Sequence, residues 1–443
     1  MPGPPRSGPP GRLSRLVDVH PGEGAAAAWA FASFFSLLAG YYVLRSLREE
    51  MGIRGGVENL PWNFTATFGL MLVALPLYSR LVARLPRARA VPLVYRFFLV
   101  TLVAFWALFR SGFAPAGLAR AFFVWVSVYG LFVVSVFWSL AVDVFTADQG
   151  KRIFGFVAAG GSAGAIAGPV LVEVLVGPLG VANLVAVSAV LLELSTQAMG
   201  RLAGWSHRSG TAVGRPAVGR PAEGAGSAEE AGPLGGGAWA GVTLVLRDRY
   251  LLAIALQMLL FTLGSTLLYF QVAQLVASSG LDSAARTRLF ARVDLAVNVA
   301  ALLTGSLATG RIVARLGLLA GLALVPALTA GGFAVAAGVP TFWVLAAFQA
   351  LRRAASYAVE RPAREVLYTV VSREERYKAK AFVDTVVYRA GDAASAWVAR
   401  GLAVAGAGVA GSLLFGIPVG LVGIGLAAWQ AREERRREAG GAS

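Results

Sequence analysis

Apolar residues in this chain come in runs of about 20, the length an α-helix needs to cross the roughly 30 Å hydrocarbon core of a bilayer. Polar or glycine-rich breaks separate the runs from end to end. Twelve such runs are predicted, near residues 25–47, 62–84, 91–110, 118–142, 153–176, 178–198, 250–276, 289–312, 317–338, 340–360, 379–405 and 409–430. The expected fold class is an all-α membrane protein whose twelve transmembrane helices form two pseudo-symmetric six-helix bundles. The bundles are placed at 25–199 and 239–430, with a disordered tail over 1–24 and a second tail over 431–443. Residues 200–238 carry almost no large apolar side chain and many Gly, Ala and Pro, so they read as a flexible linker. A short interfacial helix is expected over Trp239–Tyr250.

A repeat supports the division into halves. Ser79–Pro86 (SRLVARLP) follows the second run and Gly310–Gly317 (GRIVARLG) follows the eighth, with Arg80 matching Arg311 and Arg84 matching Arg315. A basic loop at that place resembles the one typical of the major facilitator superfamily.

Breaks in the apolar pattern carry the chemistry. The eleventh run, Lys378–Ala403, holds Asp384, Arg389 and Asp392. By helix rise, Arg389 and Asp392 lie about 15–21 Å from the run's start, near mid-bilayer. There a charge costs roughly 2.5–3.5 kcal/mol even on the mildest scale, so these groups are expected to face protein or water. Asp384, Tyr388 and Asp392 recur at i, i+4 and i+8, one stripe of an α-helix. Tyr41, Arg45 and Arg48 recur at i, i+4 and i+7 at the end of the first run, although both arginines also suit snorkelling to an interface. Arg352 and Arg353 lie about 18 Å into the tenth run, where adjacent residues diverge by about 100° and only one points squarely at a given cavity. The charged stretch after it, ERPAREVLYTVVSREERYKAK, reads as a solvated loop. Gly160, Gly164 and Gly168 are spaced for close helix packing; a phosphate-cradling loop would need a Gly-Lys-Ser/Thr ending that is absent.

Composition agrees with this picture: 57% hydrophobic residues and 14% charged ones. The formal net charge of +16 would suit a nucleic-acid binder. Its distribution points elsewhere, because with both termini inside, the inner loops and tails hold about threefold more basic residues than the outer loops, as the positive-inside rule requires. A bacterial inner-membrane protein with cytoplasmic termini is expected, with the lipid bilayer and a small anionic solute as partners, no nucleic acid, and a monomeric state. The chain has no cysteine and two histidines, His20 and His207, both outside the runs, so proton coupling would fall to carboxylates. Its 40 cationic side chains include three lysines only, Lys151, Lys378 and Lys380, at the inner ends of the fifth and eleventh runs. No nucleophile–base pair or metal-ligand cluster is apparent, so no enzyme, no catalytic residue, no cofactor and no metal are expected.

Three segments carry a resemblance. FWSLAVDVFTADQGKR (Phe137–Arg152), YYVLRSLREE (Tyr41–Glu50) and KAKAFVDTVVYRAGD (Lys378–Asp392) together resemble motifs of the ATP/ADP translocase family of plastids and obligate intracellular bacteria. The resemblance implies a nucleotide antiporter of the major facilitator superfamily, with Arg48 where that family has a functional lysine, Asp143 at a functional glutamate and Asp384 at a functional aspartate. The chain departs from the family where Asp392 stands near a lysine position, and where the seventh run lacks an acid. The expected reading is a secondary transporter moving an organic or phosphorylated anion by alternating access. Tyr41, Arg45, Arg48, Arg352, Arg353, Tyr388 and Arg389 are the candidate binding residues, because a guanidinium fork matches carboxylate and phosphate. Asp143, Lys151, Lys380, Asp384 and Asp392 are candidates for gating or coupling, with the two aspartates of the eleventh run expected to neutralise Arg389 in the empty site. The alternatives are a proton-coupled exporter of amphipathic compounds and a non-transporting scaffold or sensor of the same fold.

Overall fold

Glycines every fourth residue leave a groove one backbone wide, and α5 (Ala147–Leu179) uses such a groove to take in α1 (Gly24–Arg54). A Cβ on Gly164 would sit 2.3 Å from the Phe35 carbonyl oxygen, one on Gly168 2.6 Å from that of Ala39, and one on Gly160 2.8 Å from that of Phe31. The glycine stripe is a helix-packing surface. The computed structural model describes residues 20, 22–84, 87–112, 115–209, 240–307 and 309–441; it gives backbone alone at 75, 78–84, 87–90, 115, 207, 209, 240, 305–307, 309–316, 373, 374, 440 and 441. The tail over 1–19, the linker over 210–238 and the side chains of the Ser79–Pro86 and Gly310–Gly317 repeat lie outside the described residues.

Every regular element among the described residues is helical. After α1 come α2 (Leu60–Arg84), α3 (Arg87–Ser111), α4 (Pro115–Val144), α5 and α6 (Val181–Ser209). A short α7 (Ala240–Arg247) precedes α8 (Arg249–Ala277), α9 (Ser283–Leu307) and α10 (Thr309–Gly338). Then follow α11 (Phe342–Ala355), α12 (Arg361–Leu367), α13 (Arg373–Phe382), α14 (Tyr388–Val404) and α15 (Gly408–Gly441). Among the described residues, eight helices are long and apolar enough to cross a membrane: α1, α3, α4, α5, α6, α8, α10 from Gly317, and α15.

The chain packs as two units, one comprising Met1–Leu47, Pro76–Phe113 and Val126–Arg220, the other Arg48–Leu75, Ala114–Trp125 and Pro221–Ser443. In the first, Gly180 at φ 76° reverses the chain between α5 and α6. Ser33 of α1 bonds the Ser195 carbonyl of α6 at 3.1 Å, and the Tyr95 hydroxyl donates to the Val133 carbonyl at 2.8 Å. Glu23, just before α1, takes Arg152 of α5 in a two-pronged pair of 3.0 and 3.1 Å.

The second unit gathers the end of α1 and the beginnings of α2 and α4 around α8–α15. Phe123, Leu60 and Ile53 share one buried cluster with Leu267, Phe270, Phe333, Phe348 and Leu413. A second cluster joins Val245, Tyr250, Ile254, Leu367, Val383 and Ala427. Glycine again sets the closest approaches: a Cβ on Gly420 of α15 would meet the Ala330 amide nitrogen of α10 at 2.4 Å, and one on Gly391 of α14 would meet Thr262 Oγ1 of α8 at 2.4 Å.

Three predicted boundaries are corrected. The tenth run does not end at 360: α11 continues through a π turn (Ser356–Glu360) into α12, and the stretch read as a solvated loop is helical to Leu367, whose carbonyl accepts from Tyr250 Oη at 2.9 Å. Pro362 can donate no backbone hydrogen bond, and the π turn beside it, where the Arg361 amide reaches back to Ser356, absorbs the shifted ladder. The tail over 431–443 is the end of α15 as far as Gly441, tied by Arg437 to Asp248 at 2.8 and 2.9 Å. α6 runs on to Ser209, so the linker begins later than residue 200.

Gly164→Leu forces a branched side chain into the α1 backbone and is expected to cost about 1–3 kcal/mol, seen as a lower thermal unfolding midpoint in detergent. Gly155→Ala, on the same helix with open space at its Cβ, leaves that midpoint unchanged. Asp248 caps α8 from outside the membrane segments. Burial pushes its carboxyl up, but the Arg437 guanidinium and the amides of Tyr250 and Leu251 outweigh burial and hold it below the ordinary carboxylate value. The contribution is therefore full above about pH 4, the unfolded value, and is lost as pH falls through the lower folded value. Asp248→Asn is expected to cost about 1–2 kcal/mol near neutral pH, and the gap between mutant and wild-type unfolding midpoints closes in acid.

Candidate functional site

A guanidinium buried among apolar helices needs either a carboxylate or several neutral acceptors. The second unit uses both solutions within two residues. Arg352, 3% exposed, spends its donors on neutral groups: Nε on Thr329 Oγ1 at 2.9 Å, Nη1 on Ser265 Oγ, and Nη2 on the Phe261 carbonyl at 2.7 Å. Its Cζ lies 4.6 Å from the Phe261 ring centre. Arg353, one residue on and turned by a helical step, pairs with Asp294 of α9 at 2.9 Å. The two thus face different surroundings.

That cluster is strung along α14. Arg389 Nη1 donates to Asp392 Oδ2 at 3.3 Å, and its Cζ lies 5.2 Å from the Tyr388 ring centre. Asp392 is buried and lies in the field of both Arg389 and Arg48. Arg48 hydrogen-bonds Glu49 and lies 5.1 Å from the centre of the Phe123 ring. On the other side Tyr388 interacts with Tyr357 and Arg361, and Arg361 stacks on the Tyr357 ring at 4.3 Å. The string Arg48–Asp392–Arg389–Tyr388–Tyr357–Arg361 carries three guanidiniums against the carboxylates of Asp392 and Glu49. Such a set can hold an anion between forked donors and aromatic faces.

Asp384 is not part of it, which corrects the expected pairing with Arg389. A second π turn, Val383–Val387, lies between Asp384 and Tyr388, with the Tyr388 amide bonding the Val383 carbonyl. The added residue breaks the 3.6-residue repeat, so the i, i+4, i+8 stripe does not carry through. Asp384 instead meets Arg364 Nη2 at 3.4 Å.

Of the remaining candidates, Lys380 pairs with Glu365 at 2.7 Å on an exposed surface. Tyr41, Arg45, Asp143 and Lys151 belong to the first unit. There Tyr41 packs edge-on to Tyr42 at 5.4 Å and over Gly130, Arg45 lies 5.8 Å from the Tyr42 ring centre, Asp143 is half-buried near the end of α4, and Lys151 is exposed. Sequence reading missed Arg361, Tyr357, Glu360 and Arg364. Their signal was the continued helical spacing of cations beyond residue 360, hidden by Pro362.

The ends of α1, α2 and α4 within the second unit supply a second set of contacts. Glu50, fully buried, takes Arg286 of α9 in a two-pronged pair of 2.7 and 3.0 Å. Trp62 packs edge-on to Trp397 at 4.9 Å, Trp397 Nε1 donates to Thr65 Oγ1 at 3.0 Å, and Arg400 donates to the Glu58 carbonyl at 2.7 Å.

No protein-family model matches the chain. No curated protein matches it in sequence. Solved structures do match in fold. A bacterial homologue of the iron transporter ferroportin, in an inward-facing state, aligns with TM-score 0.65 at 10% identity over 92% of this chain and 98% of that one. The POT family transporter PepTSo gives 0.64 at 13% identity over 93% and 98%, and the nucleoside transporter NupG 0.58 at 13% over 94% and 100%. The chain shares its fold with these solved transporters. At these identities the likeness is one of fold alone.

Glu50→Gln leaves Arg286 without its carboxylate and is expected to destabilise the protein by about 3–5 kcal/mol. Unfolding in mixed micelles measures this, and adding Arg286→Gln to the same chain recovers most of the loss.

Proposed function

We propose that the protein is a secondary transporter that moves an organic or phosphorylated anion by alternating access, in a bacterial inner membrane with both termini cytoplasmic. The observation that carries this is the cation surplus along α14 and its neighbours, where Arg48, Arg361 and Arg389 outnumber Asp392 and Glu49. Keeping surplus positive charge among apolar helices is costly, and an anionic cargo that neutralises it repays the cost. The major-facilitator fold supports two six-helix bundles of twelve spans in all, as in the sequence pattern. The three motifs shared with the ATP/ADP translocase family support a phosphorylated cargo, with a nucleotide as the first candidate for exchange. Asp392, standing near a lysine position of that family, lowers the positive charge available and favours an anion of smaller charge than ATP. In this reading Tyr388 and Tyr357 offer ring faces to such a cargo.

Purified protein in liposomes, given labelled adenine nucleotides or sugar phosphates, is expected to take up label against unlabelled anion inside. Arg389→Ala is expected to lower uptake at least about tenfold, the loss of one charge-assisted pair with the cargo. Arg96→Ala, which removes an exposed pair with Glu193, leaves uptake unchanged. Uptake that survives Arg389→Ala and Arg361→Ala together would end the reading.

A further inference from the structure

Where α6 ends beside the start of α1, the first unit has an open groove of about 590 Å³. Both helices are long and apolar enough to span a membrane, so these ends lie at the level of the lipid headgroups. One wall is Trp29 of α1; the other is α6, which contributes Gln197, Arg201, Trp205 and Arg208. Two glycines keep the groove open. Gly200 has no atom within 4 Å of the place a Cβ would take, and at Gly204 the nearest is Arg208 Nη1, at 3.6 Å. Arg208 therefore reaches back along α6 instead of away into water.

The side chains of the groove are held, but their charge is not cancelled. The Arg201 guanidinium lies 4.6 Å from the Trp29 ring centre, a stacking contact that fixes its plane and spends none of its N–H donors. Trp205 is held by Nε1 donating to the Gly22 carbonyl at 3.1 Å. Among the described residues, neither Arg201 nor Arg208 donates to an acceptor. The nearby acids are already taken, Glu193 by Arg96 and Gln197, and Glu23 by Arg152 and Gln149. Two positive charges therefore face the groove. Arginines that only anchor a span end follow the water individually, whereas these two share one concavity with two indoles.

The same face of α6 continues toward the membrane interior as apolar surface. At 100° per residue, Val190, Leu194, Gln197, Arg201, Trp205 and Arg208 fall within about 80° of one another around the helix. Val190 and Leu194 are exposed. Guanidiniums at one end, an amide next and bare hydrocarbon beyond complement a phosphate, a glycerol ester and an acyl chain in that order. A free phosphate would use the first part alone.

We propose that this groove binds an anionic phospholipid, with Arg201 and Arg208 on the phosphate, Trp29 and Trp205 beside the glycerol region, and one acyl chain along Leu194 and Val190. The ligand class is a phosphodiester whose charge no headgroup ammonium cancels. The site stands whether or not the protein moves an anion.

Native mass spectrometry of the full-length protein, released from detergent with phosphatidylglycerol or phosphatidylcholine added, reads the affinity of the first lipid bound. Phosphatidylglycerol is expected to bind about thirtyfold more tightly, the sum of two cations against an anionic headgroup. Arg201→Gln with Arg208→Gln is expected to erase that preference. Arg435→Gln with Arg436→Gln removes the same charge from another exposed helix end and is expected to keep it. Gly200→Leu leaves every charge in place, puts a side chain into the groove, and is expected to weaken the first phosphatidylglycerol at least about tenfold. All these substitutions are at exposed positions, and an unchanged unfolding midpoint confirms the fold of each variant. Equal affinity for the two lipids overturns the proposal. So does a preference that survives Arg201→Gln with Arg208→Gln, or falls equally in the Arg435 and Arg436 pair, or binding that Gly200→Leu leaves untouched. Glycerol phosphate, which has the charge and no chains, is expected to leave lipid binding unaffected; displacement of phosphatidylglycerol by an equal concentration of it marks a free-phosphate site and overturns the lipid assignment.

Discussion

An uncompensated charge among apolar helices is the least affordable thing in this protein, and the second unit is arranged around that fact. Arg286 and Arg353 are each paired with an acid from another part of the chain, Glu50 and Asp294. Arg352 is satisfied by a serine, a threonine, a backbone carbonyl and an aromatic face, which stabilises the charge without cancelling it. Arg364 is held by two acids at once and Arg389 by one, loosely. These three solutions differ in what they permit. A tight pair locks helices together; a neutral cage fixes a permanent positive field; a shared or loose pair can change partners when an anion arrives.

Backbone irregularity is what makes the third solution available. An uninterrupted helix through Pro362 would lose a hydrogen bond and clash with the carbonyl four residues back. The π turn at Ser356–Glu360 lets the helix continue to Leu367, and so brings Arg361 and Arg364 into the packed unit instead of leaving them on a loop. The turn at Val383–Val387 does the corresponding thing to the facing helix, turning Asp384 toward Arg364 and leaving Tyr388, Arg389 and Asp392 together one turn later. Glycine at 391 then allows α14 to approach α8 closely enough for this face to be buried.

How much of this was legible follows from the range of each interaction. Apolar periodicity is local, so the long helices and the packing role of Gly160, Gly164 and Gly168 could be read directly from residue spacing. The cost of a charge in hydrocarbon is also local, and it draws attention to Arg352, Arg389 and Asp392 from position alone. Which partner each one takes is a tertiary matter: nothing in the spacing joins Arg353 to Asp294, 59 positions away. The periodic rule failed at Asp384 because it assumes 3.6 residues per turn, and at Arg361 because a proline among charges looks like a loop. Both failures come from π turns, whose hydrogen-bond shift leaves no mark in hydrophobicity.

The two polar regions differ in their balance of charge. Around Arg352 and Arg364 the charges cancel, a cavity of about 20 Å³ has room for one water, and Glu360 beside it is buried. Along α14, guanidiniums exceed carboxylates, the tyrosines offer ring faces, and the Arg389 side chain is a quarter exposed. Forked donors beside ring faces are what the proposed anionic cargo would need. Tyr388 interacts with both, sensing Asp392 and Arg389 on one side and acting on Arg352 on the other. One side chain therefore separates the group whose charges balance from the group richer in guanidiniums.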